Sequence, residues 1–353
     1  MAIDNKLAKK IGKDILISLF IYSLPVLALV IWFQYTGETP WRDVPKAQSL
    51  TAPHYLKFIE PFFNNFKDLG YYVVLVVLGI VEFLFGLYDN KWTLTEKKID
   101  IACLVIPKVL MPIVTAYFSL HLLPYVIPHA KDVFCWVPFW GGFFLIAVAD
   151  DLTQYWYHRI HHQLPFLWRF HRTHHSAPYM GMAMASRQNF IYTVFFSQIY
   201  VTSTLVYLGM GYSALFVTVI KSIITLSAHS SIAWDKPFYK YKVLHPFAWV
   251  LERLISTPAT HHAHHADTTD DGVGYYKGNF GNMFFIWDVI FKTGIITRKF
   301  PQTYGLKHYK AEEWYAQFLW PIFKSKKEGS ELAKNGPEVG DEVEEFGGKF
   351  GVA

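Results

Sequence analysis

Long apolar stretches alternate with more polar ones from residue 15 to residue 227. The first, 15–37, has no charged side chain and is long enough as a helix to cross the roughly 30 Å hydrocarbon layer of a bilayer. It follows a basic start (Lys6, Lys9, Lys10, Lys13) and precedes no small-residue cleavage site. It also exceeds the usual core of a secretory signal, so a retained transmembrane helix is expected, with a possible kink at Pro25. Further apolar runs cover 69–88 and 101–123. The run over 134–149 is short for a crossing and succeeds only if its helix continues past Asp150 and Asp151. Two more, 190–208 and 213–227, are expected to form a tight helical hairpin joined by the Gly209-Met210-Gly211 break. Tyr55, Phe58, Ile59, Phe62, Phe63 and Phe66 recur at helical spacing around Pro61 and predict a segment lying in the membrane interface. Trp314, Tyr315, Phe318, Leu319 and Ile322 predict a second. From Lys324 onward the chain is charged, Gly-rich and poor in large apolar groups, which predicts disorder.

The pattern predicts an all-α integral membrane protein of about six transmembrane helices. With the lysine-rich start in the cytoplasm, alternating crossings bring 89–100, 150–189 and everything after 228 to the cytoplasmic side. Four regions are expected: membrane helices with an interfacial segment over 1–133, a central domain over 134–298, an interfacial helical segment over 299–323, and the tail 324–353. Glu82 and Lys108 fall about 10 Å deep from the same end of neighbouring spans and are expected to pair.

Composition supports the membrane assignment. Hydrophobic residues make up 52% of the chain and charged ones 17%, against about 25% charged in soluble proteins. Aromatic residues reach 18%, as membrane interfaces require. The net charge of +5 forms no basic stripe, so nothing points to nucleic acid. Cys103 and Cys135 form no C-x-x-C pair and are expected to be buried small residues rather than a redox or disulfide element.

The candidate chemistry lies in histidine. Three short runs, 158–162, 171–175 and 261–265, hold ten of the sixteen histidines. On a helix Asp151, Tyr155, His158 and His162 share one face, and two imidazoles four apart can chelate one metal. His171 with His174 and His175, and His261 with His264 and His265, repeat the H-x-x-H-H spacing. These eight candidates are too many for one ion and imply two metals in a nitrogen-rich shell; imidazole suits Fe, Zn, Cu and Ni. His229 ends the sixth apolar run on the same side and is a further candidate ligand. His161 and His262 interrupt the spacing and are expected beside the metal shell rather than in it, although either could join it, as could His245.

These motifs resemble the membrane-bound fatty acid hydroxylase/sterol desaturase superfamily. The likeness rests on the three histidine runs, on Asp151-x3-Tyr155-x2-His158, on L-W-R-F-H-R-T-H-H-S, and on N-F-G-N-M-F-F-I-W-D-V-I-F-K-T from Asn279 to Thr293. It covers about 140–295 and is nearer to bacterial-type members and an alkylglycerol monooxygenase-like branch than to sterol C5 desaturases. The resemblance implies a non-haem di-iron centre in a cytoplasmic helical cap, with O2 as co-substrate and no catalytic side chain beyond the metal ligands. It implies attack on an unactivated C–H bond of a lipid (fatty acyl, ether lipid or sterol-type), by hydroxylation in preference to desaturation. Asp151, Tyr155, Arg187, Asn279 and Asp288 lie in the family-like segments and could orient the ligand rings. No GxGxxG fingerprint or haem segment is present, so electrons are expected from a separate ferredoxin or cytochrome b5-type donor with its reductase. A zinc-dependent membrane hydrolase would need a general base such as the H-E-x-x-H glutamate, which these runs lack. A metal transporter would place ligands near the bilayer midplane, whereas these histidines lie past the span ends.

Overall fold

The computed structural model describes residues 92–307, 312–327, 330 and 332–333. The expected spans over 15–37 and 69–88, the interfacial segment within 38–68, Glu82 of the Glu82–Lys108 pair, and residues 334–353 lie outside the described residues. Those described are helical, with no strand among them beyond one isolated bridge, Ala266 to Tyr304.

Helix α1 (Leu94–Tyr117) starts where the Thr93 hydroxyl accepts the Glu96 amide. Its helical path continues through Val126, and Leu94–Val126 is long and apolar enough to cross a membrane. Helix α2 (Phe139–Gln163) does what the short fourth run needs, passing Asp150 and Asp151 without a break into the first histidine run. Leu164 is extended and Pro165 takes the first turn of α3 (Pro165–His175), since proline is tolerated where an amide would lack a helical partner. Asn189 caps α4 (Phe190–Val194) by accepting the Ile191 amide, and α5 (Ser197–Leu205) follows.

Phe190–His229 is the second stretch long and apolar enough to cross a membrane. It is interrupted at Gly209, whose φ of 107° lies in the left-handed region. A Cβ there would stand 2.8 Å from the Cys135 amide nitrogen, while Tyr207 and Leu208 accept the Asp132 and Phe134 amides. Only glycine meets both demands, and α6 (Gly211–His229) starts afresh beyond it.

Short helices follow: α7 (Lys236–Lys240), α8 (His245–Leu254), α9 (Pro258–His264), α10 (Ile286–Phe291) and α11 (Trp314–Leu319). In α9 Thr257 and Thr260 form a reciprocal capping box and Pro258 opens the first turn, so seven residues hold a stable helix.

The described chain divides into two units that interleave in sequence. One comprises Thr115–Thr153 and Gln198–Val219; the other takes 92–114, Gln154–Ser197 and everything from Ile220. The second contains all the candidate ligands, so its composition differs from the expected 134–298 domain. Ile99, Ala102 and Cys103 of α1 pack with Phe318 of α11, and Phe170, Tyr192, Ala316, Trp320 and Leu332 form another cluster.

Two features mark the described C-terminal region. Helix α11 turns its apolar face into the protein, where Ala316 and Phe318 are fully buried. Its aromatic pattern suits any apolar surroundings, and α1 and α3 provide them. Leu332 is buried and its carbonyl accepts the Ser325 amide at 2.7 Å.

Candidate metal centre

Four elements converge in the second unit. Helix α2 brings His158 and His162, α3 brings His171, His174 and His175, and α6 contributes its last residue, His229. Helix α9 brings His261 and His264, with His265 just beyond its end. The nine rings form two groups. His158, His162, His171, His175 and His264 make one; His174, His229, His261 and His265 make the other. Within each, one nitrogen per ring lies within 4.8 Å of all the rest, and every ring is buried. The groups share a wall, where His175 of the first stacks on His265 of the second at 4.3 Å.

Backbone carbonyls set the tautomers. Nδ1–H of His158 donates to Phe280 O at 2.8 Å and that of His264 to Gly278 O at 2.7 Å. In the second group His174 donates to Arg187 O at 3.1 Å and His229 to Thr225 O at 2.7 Å. The proton is thereby fixed on Nδ1, and the Nε2 lone pair points inward.

Those lone pairs face one another. Nε2 of His264 is 3.1 Å from Nε2 of His158, Nε2 of His261 is 2.8 Å from that of His229, and Nε2 of His265 is 3.2 Å from that of His261. In His158 and His264 both Nδ1 protons are given to carbonyls, so their facing Nε2 atoms are both acceptors and their close approach without a cation is repulsive. Around a metal with bonds of about 2.0–2.1 Å, adjacent nitrogens come about 3.0–3.4 Å apart. His171, fully buried against Tyr192, finds no hydrogen-bond partner for either ring nitrogen among the described residues. The donor set fits a bound metal. Neither group contains a carboxylate or thiolate.

Burial, reinforced by repulsion from neighbouring rings, holds His171, His174, His175, His261 and His265 well below the usual imidazole pKa. The same causes act on His264. Neutral rings keep the lone pair that a metal needs.

A second layer holds the carbonyls in place. Asp288, fully buried, accepts the Phe280 amide at 2.9 Å, the Gly281 amide at 2.6 Å and the Thr293 hydroxyl at 2.6 Å. It therefore anchors the loop whose carbonyls orient His158 and His264. Asn279 braces the same loop, donating to Thr260 O and Ile295 O from a left-handed backbone. Tyr155 stacks on Phe291 and its hydroxyl meets Thr293 at 2.8 Å, while Arg159 donates to Tyr155. Asp151 is buried in α2 and belongs to neither group.

Arg187 is fully buried and ties α3 down. It donates to Thr173 O, the Ser176 hydroxyl and Gln317 Oε1, and is paired with Glu96 and, at 3.4 Å, with Asp100. Sequence reasoning missed these carboxylates, and it missed Arg172–Glu312, a buried pair at 2.9 Å. It also missed Gln317, whose carbonyl accepts the Thr173 hydroxyl at 2.9 Å. Polar residues inside an otherwise apolar segment, 312–322, were the available signal.

Three histidines weighed as possible ligands stand outside both groups. Nε2–H of His262 donates to Ser230 O at 3.0 Å and its Nδ1 lies 3.1 Å from the Tyr304 hydroxyl, so both nitrogens are engaged. His161 donates Nδ1–H to Tyr157 O and packs on Tyr192. His245 bonds Tyr239 O at the start of α8.

Comparison with known proteins agrees with the geometry. The fatty acid hydroxylase family model matches residues 143–293, which include all nine grouped histidines. Alkylglycerol monooxygenase of Danio rerio is 25% identical over 223 residues, covering 57% of this chain. The match spans 45% of that relative's own length, and no solved structure matches. The match over 143–293 fits the fatty acid hydroxylase superfamily.

Proposed function

We propose that this chain is a membrane-bound non-haem di-iron oxygenase that hydroxylates an unactivated C–H bond of a lipid. The observation that carries the reading is the pair of abutting, buried, all-imidazole groups, each with its lone pairs turned inward. His158, His162, His171, His175 and His264 would hold one iron, and His174, His229, His261 and His265 the other. When bound, such a pair supplies O2 activation, which no side chain provides. The chain's own part is to keep the rings neutral, fix their tautomers through the carbonyls of Gly278, Phe280, Arg187 and Thr225, and exclude water.

A fatty acyl, ether-lipid or sterol-type chain is the substrate class. The likeness to an alkylglycerol monooxygenase makes an ether lipid one member worth testing. Six spans with the histidine groups on the cytoplasmic side would let an external ferredoxin or cytochrome b5-type donor deliver electrons. Desaturation at the same centre is the second reading, because it uses the same ligands and differs only in the fate of the substrate.

Metal analysis and isotope labelling test the proposal together. Purified, anaerobically handled protein should carry close to two irons per chain, and lipids of expressing cells under 18O2 should gain labelled hydroxyl groups. Stoichiometric zinc without iron would overturn the di-iron assignment, and a new double bond without 18O would move the reaction to desaturation.

A further inference from the structure

Helix α8 is built inside out. Its polar residue Glu252 is 1% exposed, held by Arg298 at 2.9 and 2.7 Å and by Arg253 at 2.8 Å. Its outer face carries Phe247, Trp249, Val250 and Leu254, exposed by 56, 54, 53 and 44%. Tyr241 and Val243 just before it are 52 and 84% exposed. Helix α10, which packs against α8, adds exposed Val289 and Ile290. A helix facing water has the opposite arrangement, and a contiguous apolar face of this kind marks a surface that something apolar covers.

The charges around this face have one sign. Lys236, Lys240 and Lys242 are exposed and Arg253 is partly so, whereas Asp235 and Glu252 are buried. Arg253 lies over the Trp249 ring at 4.4 Å, a pairing suited to the headgroup level of a bilayer. Ten residues rise only about 15 Å as a helix, half of a hydrocarbon layer, so α8 can lie in a membrane surface but not cross it. The chain reaches this segment directly after Phe190–His229, one of the two stretches able to cross a membrane.

We propose that Lys236–Leu254 is an interfacial foot resting on an anionic lipid leaflet. Phe247, Trp249, Val250 and Leu254 enter the acyl boundary while Lys236, Lys240, Lys242 and Arg253 meet lipid phosphates. The foot is coupled to the metal centre's frame: Leu254 O accepts the Phe285 amide at 3.0 Å, and the Ser256 hydroxyl donates to Gly281 O at 2.6 Å. Lipid contact at α8 therefore bears on the loop that orients His158 and His264.

The test uses the full chain with Cys103→Ser and Cys135→Ser, labelled with a fluorophore at Val250→Cys or, as a control in the polar 267–272 loop, at Asp270→Cys. Each is reconstituted in nanodiscs of phosphatidylcholine with or without phosphatidylglycerol, containing brominated acyl chains. Val243→Cys repeats the measurement at a position where substitution disturbs no core. Quenching should be at least about twofold stronger at 250 and 243 than at 270, and should fall when phosphatidylglycerol is omitted or when Lys236, Lys240 and Lys242 are changed to Glu. Equal quenching at all three positions overturns the proposal. So does a label at 250 shielded from water without lipid quenching and cross-linking between chains, which would make the cover a second copy.

Discussion

His158 and His264 bring their Nε2 atoms to 3.1 Å while each gives its Nδ1 proton to a carbonyl of one short loop, at Phe280 and Gly278. Two candidate ligands from helices distant in sequence are thus oriented by a single backbone segment, and that segment is held by one carboxylate. Asp288→Asn keeps the size of the side chain but places a donor where two amides and a hydroxyl all need acceptors. The loop should loosen, and metal affinity should fall about 10–100-fold, the usual cost of losing an outer-shell partner. Metal content after dialysis against a graded chelator measures this. An unchanged competition curve would remove Asp288 from the frame of the site.

The strap formed by Glu312 and Gln317 lies beyond the matched family segment yet grips the helix that carries His171, His174 and His175. Glu312→Gln removes the carboxylate that pairs with buried Arg172, and breaking one side of such a pair costs about 3–5 kcal/mol. Thermal unfolding in detergent should show a Tm lower by roughly 10 °C. The double variant Arg172→Met with Glu312→Leu should recover much of that loss, because it removes both charges together. A double variant as unstable as Glu312→Gln would mean that the strap acts by packing alone.

Acid should destabilise the protein, and the sign follows from the buried imidazoles. In the folded apo chain burial holds His171, His174, His175, His261, His264 and His265 well below 6.5, whereas the unfolded chain titrates near 6.5. Below about pH 6.5 the unfolded state therefore binds more protons than the folded one, and stability falls as pH falls. Apo and metal-loaded protein should both lose Tm from pH 7 to pH 5.5, because the rings carry no proton in either folded form, and the metal-loaded protein should unfold at a higher temperature throughout. A loaded protein no more stable than the apo form at any of these pH values would count against ligation by these rings.

The candidate ligand grouping was legible because H-x-x-H spacing on a helix fixes which side chains share a face. His158 and His162, or His261, His264 and His265, need no tertiary information to be grouped. His229 was legible only through the expected chain path, one histidine at the end of an apolar run. What surrounds the ligands was not legible for a physical reason. The acceptors for His158, His264, His174 and His229 are backbone carbonyls, which every residue has, so no side chain announces them. Glu96, Asp100, Glu312 and Gln317 come from distant segments, and their roles depend on contacts that no local period encodes. Leu332 shows the limit of composition, since a single leucine in a polar stretch is buried and no local period announces it. Helix α8 shows another, since its outward apolar face and inward Glu252 have the same periodicity as an ordinary amphipathic helix turned the other way.

Adjacent histidines in the third run separate ligand from support. His261 reaches Nε2 of His229 at 2.8 Å, whereas His262, one residue on, points off the metal face because the helix turns about 100° per residue. The His262 lone pair at Nδ1 meets Tyr304, and its other nitrogen donates to Ser230, so coordination would break two buried hydrogen bonds. His262→Gln can keep one or both contacts and should retain the full metal content with a Tm lower by a few degrees, each lost buried bond costing about 1–3 kcal/mol. His261→Gln should lose about one metal per chain, because it takes a fourth of the donors from a group that has only four. Metal counting on the two purified variants decides the matter: equal loss in both would put His262 in the shell, and no loss in His261→Gln would take His261 out of it.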